Sequence, residues 1–233
     1  MGQCHSYCTN NAKRIMNLFN SLRFLRQVDS NILFYSTPLG NVWFNFIFNE
    51  HEILNVKPSK TEGFDKTIVS CWDLKECYVE FLRANFVPKI PSPMKVETSL
   101  AGIWRIKSRC KDLRVTLKVY LDSEFEGSPE SGEGLISQAF ESEKIKLSIG
   151  TEDEDYLCAR ARAQKWMPSR FHNILDSNAI EYISNGIQVV LPQLDQNDCI
   201  QIQFIIAWSE NDLSSWFAVE QSADYILKSL DIT

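Results

Sequence analysis

Glycine is scarce in this chain of 233 residues: nine are scattered along it, too few and too dispersed for a glycine-rich phosphate loop. Long apolar runs are missing too. The longest, such as residues 204–208, are strand-sized, well short of the roughly 18–20 residues that a membrane-spanning helix requires. Histidine occurs only as His5, His51 and His172, and no Gly-x-Ser-x-Gly elbow accompanies it. The seven cysteines form no C-x-x-C pair and match no zinc-site spacing. Neither an Asn-x-Ser/Thr acceptor nor the apolar core of a signal peptide is found. Cys71, Cys77, Cys110, Cys158 and Cys199 therefore read as small apolar residues of a reducing, cytoplasmic compartment. No cofactor is implied.

What the chain does have is anchoring mass and segregated charge. Fourteen Phe, six Trp and seven Tyr exclude global disorder, and a body of this size buries roughly 70% of its unfolded surface. A net charge of −6 argues against a dedicated duplex-DNA binder. The charge is unevenly spread. Residues 95–119 are basic, whereas residues 122–155 hold eleven acids against Lys144 and Lys146.

The proline cluster Pro88, Pro91 and Pro93 divides the chain, because three prolines cannot continue a helix or a central strand. The division gives a basic tail or helix over 1–30, a small α/β part over 31–87, a linker over 88–94 and a larger β part over 95–233. In the small part, residues 32–36 and 42–48 read as a hairpin across a Pro/Gly turn, and 67–70 as a third strand. Asp73 and Glu76 resemble a capping box, and Leu74, Cys77, Tyr78, Phe81 and Leu82 share one helical face, so a helix is expected to run to about Asn85.

Past the linker the period becomes two. Every odd residue of 113–121 is apolar, which predicts a strand with one buried and one wet face. Residues 187–191 and 200–206 repeat the habit, with Gln201 and Gln203 facing out; 103–108, 144–149, 156–166 and 215–219 are further strand candidates. Short helices are expected at 135–141 and after Gln221. The fold class that results is α+β, mostly β: a small hairpin-plus-helix part followed by an antiparallel β-sandwich-like part. The polar turn from Leu191 to Asp198 feeding the strand up to Phe204 resembles the inter-sheet corner of immunoglobulin-like sandwiches. It lacks the paired cysteines and tyrosine corner of that family, so no function comes with it.

Met1-Gly2-Gln3-Cys4-His5-Ser6 fits the myristoylation pattern at Gly2, with Cys4 and Cys8 as palmitoylation positions and Lys13, Arg14, Arg23 and Arg26 as a basic second signal. The acid-free first 28 residues also match a mitochondrial targeting segment. The stripe Ile15, Leu18, Phe19, Leu22 and Leu25 matches a helix docked on the body, and Met16 is an alternative start. Cys4, His5 and Cys8 supply at most three metal ligands, and Glu152-Asp153-Glu154-Asp155 lacks the alternation of a calcium loop.

If the strands hold, Arg105, Lys107 and Arg109 share one face, as do Arg114 and Lys118, with Tyr120 beside them; Arg160 and Arg162 are likewise two apart. Together with the acidic run Glu152, Asp153, Glu154 and Asp155, these residues suit a charged protein partner better than nucleic acid. The leading expectation is a non-catalytic, adaptor- or immunity-like interaction module. The alternatives are a small hydrolase or transferase using Cys/His chemistry, and a peripheral membrane protein anchored through its N-terminal lipid.

Overall fold

A computed structural model describes residues 33–64, 67–132, 134–175, 178–210 and 214–232; the lipidation motif at Gly2, Cys4 and Cys8 and the basic tail lie outside them. The strands in chain order are β1 (Phe34–Thr37), β2 (Gly40–Phe48), β3 (His51–Glu52), β4 (Lys60–Phe64), β5 (Thr67–Asp73), β6 (Cys77–Asn85), β7 (Thr98–Ser108), β8 (Leu113–Asp122), β9 (Ser128–Gly132), β10 (Leu135–Glu141) and β11 (Lys146–Glu152). Helix α1 (Glu154–Arg162) and a 3-10 turn at Ser169–Asn173 precede β12 (Ile180–Ile183), β13 (Gly186–Leu194) and β14 (Cys199–Ser209). Helices α2 (Ser214–Val219) and α3 (Ala223–Ser229) follow.

The protein is thus mostly β, with two antiparallel sheets and few helices. The first sheet has six strands in the order β1-β2-β8-β13-β12, with β3 beside β2; the second has eight in the order β4-β5-β6-β7-β14-β11-β10-β9. The turn after Leu194 carries the chain from one sheet into the other. Facing residues of both sheets form one apolar cluster, in which Phe44 of β2 lies 5.2 Å from Phe81 of β6 and Phe46 lies 5.8 Å from Trp104 of β7, ring centre to ring centre. Gly102 makes room for that contact: a Cβ there would come within 2.3 Å of the Phe44 ring.

A second cluster lies on the far side of the second sheet, where Leu82, Ala84, Ala101, Ile103, Ile205 and Ala207 are covered by Ala218, Val219, Ala223, Ile226 and Leu227 of α2 and α3. Every residue of β14 is therefore buried, as expected of a strand covered on both faces. Gln201 and Gln203, expected to face water, are each 3% exposed for this reason, and Gln203 Nε2 donates to the Gln221 carbonyl at 3.1 Å.

Four expectations about secondary structure are corrected. Of the helix expected over 73–85, Asp73 ends β5 and Cys77–Asn85 form β6: Cys77, Val79 and Phe81 point into the core and Tyr78 and Glu80 away from it, so the period of two outcompetes a three-and-four spacing that the same residues also satisfy. Residues 135–141 form β10, paired on both sides by β9 and β11. Residues 156–166, expected as a strand, begin inside α1, whose N-cap Asp153 accepts the Tyr156 N–H at 2.8 Å. Residues 215–219 form α2. The proline cluster lies in the connection between β6 and β7, which pair directly from Cys77↔Ser108 to Asn85↔Leu100, and β2 pairs with β8. It is the link between two neighbouring strands of one sheet.

Candidate functional site

Strand alternation gives the first sheet an outer face as definite as its core. Val42, Phe44, Phe46 and Phe48 of β2 and Leu113, Val115, Leu117, Val119 and Leu121 of β8 are in the core. Their neighbours Trp43, Asn45 and Ile47, and Arg114, Thr116, Lys118, Tyr120 and Asp122, must point the other way. On β1, Tyr35 packs against the core, which turns Phe34 and Ser36 outward.

Register then orders these side chains into rows that cross the strands. Phe34 pairs with Trp43, Trp43 with Tyr120, and Tyr120 with Gly186, which gives an aromatic row on three successive strands that ends at a glycine. The Phe34 and Trp43 ring centres are 5.0 Å apart, with planes inclined by 39°. On one side runs a polar row, Ser36, Asn41 and Asp122, in which Ser36 Oγ donates to Asn41 Oδ1 at 2.8 Å. On the other side runs a second polar row, Asn45, Lys118, Gln188 and Glu181, in which Gln188 Nε2 donates to Glu181 Oε2 at 2.6 Å. Phe34, Trp43, Lys118, Tyr120 and Gln188 are all partly accessible, whereas Asn45 is buried and its Oδ1 has no hydrogen-bond partner among the described residues.

Electrostatics mark the glycine end of the row. The Tyr120 phenol is pushed above its ordinary range by burial and then by the carboxylates of Glu52 and Asp122. It stays a neutral donor there. Gly186 is fixed by close approach: a Cβ at this position would lie 2.0 Å from the Val119 carbonyl oxygen and 2.6 Å from Tyr120 Cα. Both are backbone atoms that cannot step aside, so Gly186→Ala is expected to cost about 1–3 kcal/mol, read as a lower urea midpoint with an unchanged slope.

The charged residues singled out from sequence are dispersed. Arg114 and Lys118 lie on the outer face of the first sheet, whereas Arg105 and Lys107 lie on the opposite side of the molecule, on the outer face of the second. Arg105 Nε donates to Gln201 Oε1 at 2.8 Å and its guanidinium lies 4.9 Å from the Trp166 ring centre. Arg109 is past the end of β7, where it pairs with Asp73 at 2.5 Å and donates to the Leu74 carbonyl at 2.7 Å. Arg160 and Arg162 sit on a helix, so they do not share a face: Arg162 is exposed and Arg160 is buried against Glu152.

The acidic run is equally divided. Glu152 ends β11 inside the protein, where burial holds its carboxyl above the ordinary range against the pull of Arg160. Asp153 caps α1, Glu154 Oε1 accepts the Ile180 N–H at 3.2 Å, and Asp155 is exposed. The Arg160 guanidinium also donates to the Gln201 carbonyl at 2.8 Å, while the Gln201 N–H donates to the Trp166 carbonyl at 2.9 Å. The ion pair thus pins the loop after α1 to β14 just where β11 leaves it.

Thiol chemistry fares no better. Burial pushes the Cys71 thiol up, and pushes Cys77 up to about 12, the opposite of an activated nucleophile. His172 Nδ1 is engaged by the Ser169 carbonyl and His51 is exposed beside Phe48. Among the described residues, no group of three or more His, Cys, Asp or Glu is placed to hold a metal, and no helix is long and apolar enough to cross a membrane.

No protein-family model matches this chain, and no curated protein matches it in sequence. Solved structures with a similar chain path include the following two. One, described as a kojibiose phosphorylase from the human microbiome, matches with a TM-score of 0.42 and 11% identity, over 81% of this chain and 24% of the other. The second, a polysaccharide lyase, matches with a TM-score of 0.34 and 9% identity, over 76% of this chain and 26% of the other. The chain spans about a quarter of the length of each.

The interaction-module expectation is withdrawn with its thiol-enzyme alternative; the lipid-anchor alternative rests on residues 2, 4 and 8, which lie outside the described residues. The residues named for the interaction module do not form one patch: Arg105 and Lys107 lie on the face opposite Arg114 and Lys118, Arg160 is buried against Glu152, and Asp153 caps α1. Trp43 and Phe34, which form most of the aromatic row, were not singled out. Their signal was faint, since 42–48 is apolar at almost every position and hides which side chains face out.

Proposed function

We propose that this chain is a carbohydrate-binding β-sandwich, its two sheets packed face to face and its saccharide held on the outer face of the first sheet. The observation that carries the reading is the aromatic row Phe34, Trp43 and Tyr120 between two polar rows. A pyranose ring has one flat, largely C–H face and a rim of hydroxyls. An aromatic side chain offers a rigid apolar surface with little rotamer entropy to lose, while Ser36, Asn41, Asp122, Lys118 and Gln188 present donors and acceptors to hydroxyls on both rims. The neutral Tyr120 phenol adds a donor at the glycine end of the row. The reading rests on this chain's own side chains; the names of the two similar structures accord with it and are not needed by it.

The test is titration of the protein with soluble cello-, xylo-, manno-, malto- and chito-oligosaccharides, followed by calorimetry and by tryptophan fluorescence. At least one series is expected to bind and to perturb the emission. Trp43→Ala is expected to weaken binding roughly tenfold or more, as loss of a central aromatic anchor does, with far-UV circular dichroism unchanged. Absence of binding across all five series would overturn the proposal.

A further inference from the structure

The direction of the aromatic row constrains the shape of what lies on it. Phe34, Trp43 and Tyr120 belong to β1, β2 and β8 at one register level, so the row runs across the strands and its step is the inter-strand spacing of roughly 4.8 Å. The first step is realised as 5.0 Å between ring centres. This is comparable to the length one pyranose ring occupies in an unbranched chain. The 39° inclination between the first two rings follows the twist of the sheet, and successive rings of a flexible glycan can turn by rotation about each glycosidic bond.

The polar rows run parallel to the aromatic one. Ser36, Asn41 and Asp122 follow one edge, and Asn45, Lys118 and Gln188 follow the other. A ring over Tyr120 therefore has polar side chains on both sides, Asp122 and Lys118, whereas rings over Trp43 and Phe34 have accessible ones on one side, Asn41 and Ser36. The row also has an end: the register position after Tyr120 is Gly186, which carries no side chain to stack on.

We propose, building on the carbohydrate-binding reading, that the ligand is a linear, unbranched oligosaccharide lying perpendicular to the strands, with three consecutive pyranose rings over Phe34, Trp43 and Tyr120. A monosaccharide fills one position of three. A fourth ring passes beyond Tyr120 over Gly186 and gains little.

The experiment is a chain-length series, from monosaccharide to hexasaccharide, in whichever oligosaccharide family binds the intact protein. Affinity is expected to rise at each step up to the trisaccharide, by severalfold or more per ring, and to level off from there. Phe34→Ala, and Phe34→Leu as a variant that keeps apolar bulk at this edge strand, are expected to move the plateau to the disaccharide. Equal affinity for mono- and hexasaccharide, or a plateau that Phe34→Leu leaves at the trisaccharide, would overturn this inference while leaving the carbohydrate-binding reading standing. If no length of any family binds, both fall together.

Discussion

Arg160→Met is expected to remove about 3–5 kcal/mol of folding stability, because it leaves a carboxylate buried without its cation. Arg160 and Glu152 are 9% and 6% exposed, and Arg160 serves more than its salt bridge. It also donates to the Gln201 carbonyl at 2.8 Å and to the Lys165 carbonyl at 3.4 Å, so methionine orphans backbone acceptors as well. The loss has a pH signature. Burial already raises the Glu152 carboxyl, and without Arg160 nothing opposes it. A carboxyl whose folded pKa lies above its unfolded value of about 4.3 favours folding while protonated and loses that contribution as pH rises through the interval between the two. The deficit of Arg160→Met relative to the parent is therefore smallest near pH 4 and larger at neutral pH. Urea midpoints measured at both values would show this, and a deficit independent of pH would mean that another group carries the cost. Glu152→Gln, which keeps an acceptor facing Arg160, is expected to be milder.

Trp104→Ala is expected to cost a similar amount, about 3–5 kcal/mol, for a different reason. Trp104 is fully buried between the sheets, with ring centres 4.3 Å from Phe81, 5.8 Å from Phe46 and 6.2 Å from Trp72. Alanine would open a cavity that three large rings cannot all collapse into. The indole Nε1 has no hydrogen-bond partner among the described residues, which makes Trp104→Phe informative. It loses some volume yet removes a buried donor left unsatisfied, so its cost should fall well below that of alanine. Thermal unfolding of the two variants side by side separates cavity from polarity; equal losses would show that the indole nitrogen is satisfied in solution.

Sequence patterning located a strand most clearly where apolar and polar residues alternate without a break. In Leu113–Asp122 the alternation is nearly uninterrupted, and the strand, its buried face and its outward Arg114, Lys118 and Tyr120 were all legible. The pattern failed where one run satisfies two periods, and in Cys199–Ser209, buried on both faces, it found the strand but misread Gln201 and Gln203 as facing water. Cys77–Asn85 carries apolar residues at spacings of two, three and four, and only its neighbours β5 and β7 decide for strand. In Glu154–Arg162 the informative residue was Asp153, whose capping role is a helix signal, yet it was grouped with its acidic neighbours as a charged patch. The aromatic row was out of reach for a related reason: it joins residues 34, 43 and 120, and that grouping exists only once register is known.

The two ends of the described chain attach to opposite sides of the molecule. Leu33 leads directly into Phe34 at one end of the aromatic row, whereas α3 and Ile232 pack on the outer face of the second sheet. Immobilising the protein through its carboxyl end would thus display the aromatic row to bulk solution, while a bulky fusion joined just ahead of Leu33 would crowd it. For a biosensor chip or a fluorescent reporter, the choice of tether decides whether the surface is presented or shaded.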